Sequence, residues 1–184
     1  MQMLNDGETT FYPQIEVDDA GWGDLVGGVI IGGYNPLTEE FRWTEVAVEH
    51  FQGEAFTRKD YQVKARRAMN KILGDLRVDK RFYQVAMCTG YVLNHAARWL
   101  RQNGWMVVRR TIDGPCQGLV EERFRKELMK IGVPPGTIVN VPSGTHRFMQ
   151  LFKWVKEDPK ERESFVKTGW RSWQSKWRPR LFEK

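Results

Sequence analysis

The segment covering residues 14–33, QIEVDDAGWGDLVGGVIIGG, constrains this chain more than any other. An apolar run, IEVDD, ends on two adjacent carboxylates and passes directly into a glycine turn. A second run, GVIIGG, is apolar on both faces, as a strand inside a sheet would be. Residues 41–50 alternate well enough for a third strand. Thr57 is placed to cap a helix over 59–76, with Val63, Ala68, Ile72 and Leu76 on one side. A short strand is expected at 82–87 and a helix at 91–102, closed by Asn103-Gly104. A strand over 105–112 ends on Asp113-Gly114, and a helix follows over 117–131 with Leu119, Val120, Phe124, Leu128 and Ile131 inward. A strand at 137–141 and a helix at 145–156, stopped by Asp158-Pro159, complete the pattern. Three strands followed by alternating helices and strands imply a mixed sheet in an α/β layer fold.

A chain of 184 residues supports one domain of ordinary size, taken as residues 1–158 with a C-terminal segment, 159–184, packed on it. Aromatic content of 12% is too rich for a disordered chain, so a packed core is expected. The longest apolar run, residues 25–33, is nine residues with four glycines, against the roughly 20 that a membrane span needs. The opening MQMLNDGETT has neither a basic region nor an apolar core, so no secretion leader is expected. Cys88 and Cys116 lack metal-ligand spacing and a partner base and read as buried small hydrophobes. A reduced, cytoplasmic protein with no membrane partner is the expectation.

Charge is unevenly distributed. The net charge is +6, and Lys167, Arg171, Lys176, Arg178, Arg180 and Lys184 against Glu183 give the last 18 residues +5 of it. Trp170, Trp173 and Trp177 recur there at one-face helical spacing. Interleaved cations and flat rings suit nucleic acid, through phosphate contacts and base stacking. The same stripe also suits packing on the core with the cations turned to solvent.

Asp18 and Asp19 end the first strand, and Asp113 ends a later one. Strand-terminal acids from neighbouring strands converge on one sheet edge, where clustered carboxylates persist if cations neutralise them. Magnesium or manganese favours such oxygen donors. Two ions about 4 Å apart activate water and stabilise the leaving oxygen in phosphodiester cleavage. A solvated turn is the alternative for Asp113. No zinc spacing, Ser-His-Asp order or phosphate-loop motif is present.

The stretch VDDAGWGDLVGGV, residues 17–29, resembles the opening motif of type 2 ribonucleases H, Asp-Glu-Ala-Gly-Arg-Gly followed by glycine and a hydrophobic strand. TIDGPCQGLVEERFRKEL, residues 111–128, is similar to that family's strand-ending Asp and the helix after it. The resemblance implies a ribonuclease H-like mixed sheet, three antiparallel strands then parallel ones, flanked by helices over residues 14–150. It implies that Asp18, Asp19 and Asp113 are metal-binding catalytic carboxylates. It also implies that Gly21, Trp22 and Gly23 approach the nucleic-acid backbone. Departures accompany it: Asp19 replaces Glu, Trp22 replaces Arg, and no Asp-Ser-Lys segment follows the second strand. His146 stands near the place of a fourth acid, as in some similar Holliday-junction resolvases, and a His ligand suits manganese somewhat better than magnesium.

Two functions follow from these residues. One is a Mg2+- or Mn2+-dependent nuclease acting on RNA, an RNA–DNA hybrid or branched DNA, with Asp18, Asp19, Asp113 and His146 in the site. Trp170, Arg171, Lys176 and Arg178 would add binding surface. The other is a catalytically eroded nucleic-acid-binding protein on the same fold. A nucleotide hairpin of the actin or sugar-kinase type needs two domains, for which 184 residues are too few.

Overall fold

The computed structural model describes residues 12–138 and 144–183. Five strands form one sheet: β1 (Gln14–Ala20), β2 (Val29–Asn35), β3 (Glu40–Val46), β4 (Gln84–Met87) and β5 (Val107–Arg109). Their order is β3-β2-β1-β4-β5. The β1–β2 and β2–β3 pairs are antiparallel, whereas β1–β4 and β4–β5 are parallel. The chain therefore has the α/β fold with a mixed sheet that the strand pattern implied. β1 is the central strand, and its C-terminal end lies beside that of β4.

Helices cover the sheet because their apolar residues repeat at helical spacing. After the short α1 (Gly53–Thr57), α2 (Asp60–Asp75) buries Tyr61, Ala65, Ala68, Met69, Ile72 and Leu73. α3 (Asn94–Gln102) buries Ala96, Ala97 and Leu100, and α4 (Pro115–Lys130) buries Cys116, Val120, Phe124 and Leu128. A one-turn α5 (Pro135–Ile138), then α6 (Gly144–Glu157) and α7 (Pro159–Arg162), precede the C-terminal turns. β2 shows why its sequence is apolar throughout: Val29 and Ile31 join the core containing α2 and α3, while Ile30 joins the one containing α4 and α6. Among the described residues, no helix is long and apolar enough to cross a membrane.

Several expected boundaries move. The third strand stops at Val46, and a 3-10 turn, Val48–Phe51, takes up the rest. Thr57 ends α1 instead of capping α2, whose N-cap is Lys59 in the left-handed region at φ 60°. The strand expected over 105–112 shortens to Val107–Arg109, because only these residues pair with β4. Where a last strand was expected at 137–141, Thr137 and Ile138 lie in α5, and residues 139–143 fall outside the described part.

The largest correction concerns the C-terminal segment. Lys167, counted above with the basic tail, is fully buried. Its Nζ donates to the carbonyl oxygens of Gly21 (2.9 Å), Asp24 (2.8 Å) and Val26 (3.4 Å). The backbone reinforces this: Lys167 N–H donates to Leu25 O, and Gly27 N–H to Phe165 O, both at 2.9 Å. Burial pushes the Lys167 ammonium down to about 7, against an ordinary 10.5. The tryptophan stripe is not one long helix either. Trp173 is fully buried beside Leu25 and Phe124 in the second core, and residues Trp173–Trp177 form a π-helical turn.

Removing a donor from buried carbonyls leaves them without water or a partner, at a cost of about 1–3 kcal/mol for each unsatisfied group. Lys167→Met keeps the length of the side chain and removes all its donors. The expected loss of stability is about 3 kcal/mol, a fall of roughly 6–12 °C in melting temperature for a chain of this size. Thermal unfolding followed by circular dichroism measures it, and an unchanged midpoint would contradict this role.

Candidate metal centre

The two carboxylates sit where β1 must stop. Gly21 has a φ of 96°, and a Cβ there would collide with the ring of Phe124. This turns the chain sharply after Ala20 and leaves Asp18 and Asp19 at the strand end. Asp19 N–H donates to Asp18 Oδ1 at 2.9 Å. Cys88, the residue after β4, is drawn alongside when its N–H donates to Val17 O at 2.9 Å. Its thiol then donates to Asp19 Oδ1 at 3.1 Å. One donor atom from each of Asp18, Asp19 and Cys88 lies within 4.8 Å of the others, the only such group of His, Cys, Asp and Glu among the described residues. Gly90 makes room for this approach, since a Cβ there would strike Asp19 Oδ1.

The electrostatics are those of anions held out of water. Burial raises the Asp18 carboxyl above its ordinary range, against the lowering effect of hydrogen bonds from Cys88 and Asp19. Burial likewise pushes Asp19 up to about 6, and the Asp18 and Glu121 charges add to it. Glu121, on α4, is itself raised by burial, while Arg147 opposes that rise. The Cys88 thiol is pushed far up by burial and by the two aspartates, so it remains a neutral donor.

Two arginines face this acidic ground. Arg147, on the first turn of α6, makes a two-pronged ion pair with buried Asp24 (2.5 and 2.8 Å) and reaches Glu121 at 3.5 Å. Arg109, at the end of β5, donates to Asn94 Oδ1 (3.2 Å) and Gly90 O (3.1 Å), and its charge lowers the Asp19 carboxyl. Asp19, Trp22, Asp24, Glu121 and Arg147 line a cavity of about 220 Å³.

The remaining sequence-derived candidates are spread around it. Asp113 is exposed in the turn after β5; its charge reaches Asp18 and raises it, but it is outside the three-donor group. His146 is exposed at the start of α6, and its neighbour Arg147 is the residue that enters the cavity. Gly21 is buried and Gly23 exposed. Trp22 is half-buried against Phe51, Tyr61 and Tyr91, with ring centroids 6.1, 5.2 and 5.9 Å away. Trp170 and Trp177 are half-buried around Phe148, and with Gly23, Gly144 and Thr145 they line an adjoining groove of about 340 Å³. Arg171 and Lys176 are exposed, with Lys176 Nζ 4.8 Å from the centre of the Trp177 ring. Arg178 is ion-paired with Glu163 at 2.6 Å.

Sequence reasoning missed Cys88, Glu121, Arg147 and Lys167. Cys88 had one usable signal, its place directly after a short apolar strand. No protein-family model matches the chain, and no curated protein matches it significantly.

The centre has a measurable pH signature. In the unfolded chain Asp19 titrates near 3.8, in the folded chain near 6. Between these values the folded state binds more protons, so stability falls as pH rises through this window. In metal-free buffer at pH 7.5, Asp19→Asn should melt higher than wild type, by about 2–4 °C for each kcal/mol relieved. The advantage should shrink as pH falls through about 6 and vanish toward about 3, below the unfolded value of 3.8, where wild-type Asp19 is mostly protonated in both states. Calorimetry at the two pH values tests this; a variant that melts lower at pH 7.5 would contradict it.

Proposed function

We propose that the protein is a divalent-metal-dependent nuclease that hydrolyses phosphodiester bonds in RNA, an RNA–DNA hybrid or a structured nucleic acid. The observation that carries this reading is the Asp18–Asp19 pair, the first buried and the second half-buried, at the C-terminal end of the central strand, where β1 and β4 run parallel. In open α/β sheets, ligands bind beyond the C-terminal ends of such strands. The resemblance of residues 17–29 to type 2 ribonucleases H supports the same reading.

The donor set fits a hard divalent cation. Two adjacent carboxylates, both raised by burial, Asp18 further by the Asp113 charge and Asp19 by those of Asp18 and Glu121, are the groups that a cation would stabilise. Asp18 and Asp19 would hold it, with Glu121 and Asp113 nearest in charge. When bound, such an ion supplies an activated water and stabilises the leaving oxygen. The chain's own residues do the rest. Arg147 and Arg109 offset the negative charge of the cavity and face an incoming phosphate. The Lys167-held loop follows directly on Asp18 and Asp19 and, with Asp19, lines the cavity. The Trp170–Phe148 groove offers a flat apolar surface to a base next to the reacting phosphate.

A second reading, a catalytically eroded nucleic-acid-binding protein, is favoured by one observation. Asp19 already accepts a thiol hydrogen bond from Cys88, and Arg147 is occupied by Asp24 and Glu121, so much of the centre is satisfied by protein groups.

Cleavage assays with Mn2+ or Mg2+ separate the two. Labelled single-stranded RNA, RNA–DNA hybrid, duplex DNA and a four-way junction serve as substrates. The nuclease reading expects one of them to be cut by wild type and left at background by Asp18→Asn, a variant that keeps the shape of the side chain. Binding without any cutting would establish the eroded reading.

A further inference from the structure

We propose that the cleft between α2 and α3 is a phosphate-binding site that carries the nucleic-acid backbone away from the metal centre. The inference rests on the nucleic-acid reading above. Arg58, Lys59, Gln62, Tyr91, His95 and Arg98 are among the residues lining this cleft, which has a volume of about 410 Å³. Among the described residues, no acidic side chain lines it. Arg58 is held by Asp60 (2.9 Å) and Glu54 (3.4 Å), whereas Lys59 and Arg98 have no ion pair among the described residues. Two unpaired cations and an imidazole around an open cleft, with the second N–H of a Gln62 amide whose first donates to Tyr91 O at 3.2 Å, suit an anion whose charge is spread over several oxygens.

Lys59 adds an observation of a different kind. It holds φ 60° and ψ 37°, a left-handed conformation that strains any residue with a Cβ, at the N-cap of a 16-residue helix. Among the described residues no side chain caps that helix, and the one acid of its first turn, Asp60, is paired with Arg58 at 2.9 Å. The positive end of the helix and the Lys59 ammonium stand together there. Lys59 Nζ lies 5.8 Å from the centre of the Tyr91 ring, which orients it along the cleft.

The cleft neighbours the metal centre, separated from it by one pair of aromatic rings. Tyr91 packs on Trp22, a wall of the acidic cavity, at 5.9 Å. Asn94, on the cleft wall, accepts from Arg109, which also donates to the carbonyl of Gly90 beside Asp19. A strand with its reacting phosphate over Asp18 and Asp19 would thus have neighbouring phosphates in the cleft on one side. The acidic cavity also adjoins the Trp170–Phe148 groove, with which it shares Gly23 and Gly144.

The test is binding measured without metal, so that cutting plays no part. Fluorescence anisotropy with a labelled single-stranded 12-mer in EDTA compares wild type with the double variant Lys59→Gly/Arg98→Gln. Glycine relieves the left-handed backbone, so the variant should melt no lower than about the wild-type temperature. Affinity should fall about tenfold or more at low salt, and the slope of log K against log salt should flatten by about 1.5, for two lost phosphate contacts. Lys153→Gln/Lys156→Gln, which removes two exposed charges from α6, serves as the charge-matched control. Equal losses in both double variants would reduce the effect to net charge and overturn the proposal, as would unchanged affinity in the cleft variant. Loss confined to the cleft variant supports it even if no substrate is cut, in which case the nuclease reading alone falls. A wild type that binds no nucleic acid overturns both.

Discussion

The structure turns on a buried cation, Lys167, that has no carboxylate partner of its own among the described residues. Lys167 threads from the C-terminal segment into the loop that follows β1 and donates to three of its carbonyl oxygens. An ammonium has three N–H donors, so the three acceptors match it one for one. Taking such a charge out of water is costly, which is why its pKa is depressed to about 7, and the carbonyls are what offset that cost. The loop has few backbone bonds of its own: Asp24 N–H donates to Gly21 O at 3.1 Å, and Val26 bridges to Val166. Without the Lys167 ammonium the Asp24 and Val26 oxygens would lose the side-chain donor that the structure gives them. The two ends of the sequence are thereby made into one unit. Trp173, Val166 and Leu181 then seal the loop from the outside as part of the second core.

That loop decides where the carboxylates end. Asp18 and Asp19 are adjacent, partly desolvated and joined by a backbone hydrogen bond, and they share their surroundings with Glu121 and Asp24. Such a group is unstable unless protons, protein cations or a metal ion neutralise it. The protein uses two of these means on its own. Asp19 is held near half-protonation at mildly acidic pH, and Arg147 clamps Asp24 and reaches Glu121. Among the described residues Asp18 and Asp19 have no comparable arginine clamp, which leaves them as the pair a divalent cation would complete.

Much of the fold is legible in the sequence because it rests on local periodicity. The apolar runs of β1 and β2, the spacing in α2 and α4, and the Asn103-Gly104 stop all express rules that act within a few residues. The failures share a different cause. Lys167 looks like one more cation in a basic tail, and only a contact 146 residues away reveals that it is buried. Cys88 reads as a small hydrophobe, since its hydrogen bond to Asp19 depends on β4 pairing in parallel with β1. Glu121 and Arg147 belong to different helices and meet only when α4 and α6 pack. The adjacent acids Asp18 and Asp19 could be picked out because a carboxylate pair at a strand end is a local anomaly. Asp113 shared that local signal, yet it follows β5, one strand further from β1 than Cys88, and is exposed.

The central claim is that Asp18 and Asp19, presented by the Lys167-held loop, form a divalent-cation site. Titration with Mn2+ followed by electron paramagnetic resonance reads this directly, because the signal of free manganese is lost as the ion binds. Wild-type protein should take up manganese at neutral pH, and both Asp18→Asn and Asp19→Asn should lose that uptake while remaining folded. Uptake by both variants equal to that of wild type, or none by wild type, would contradict the account.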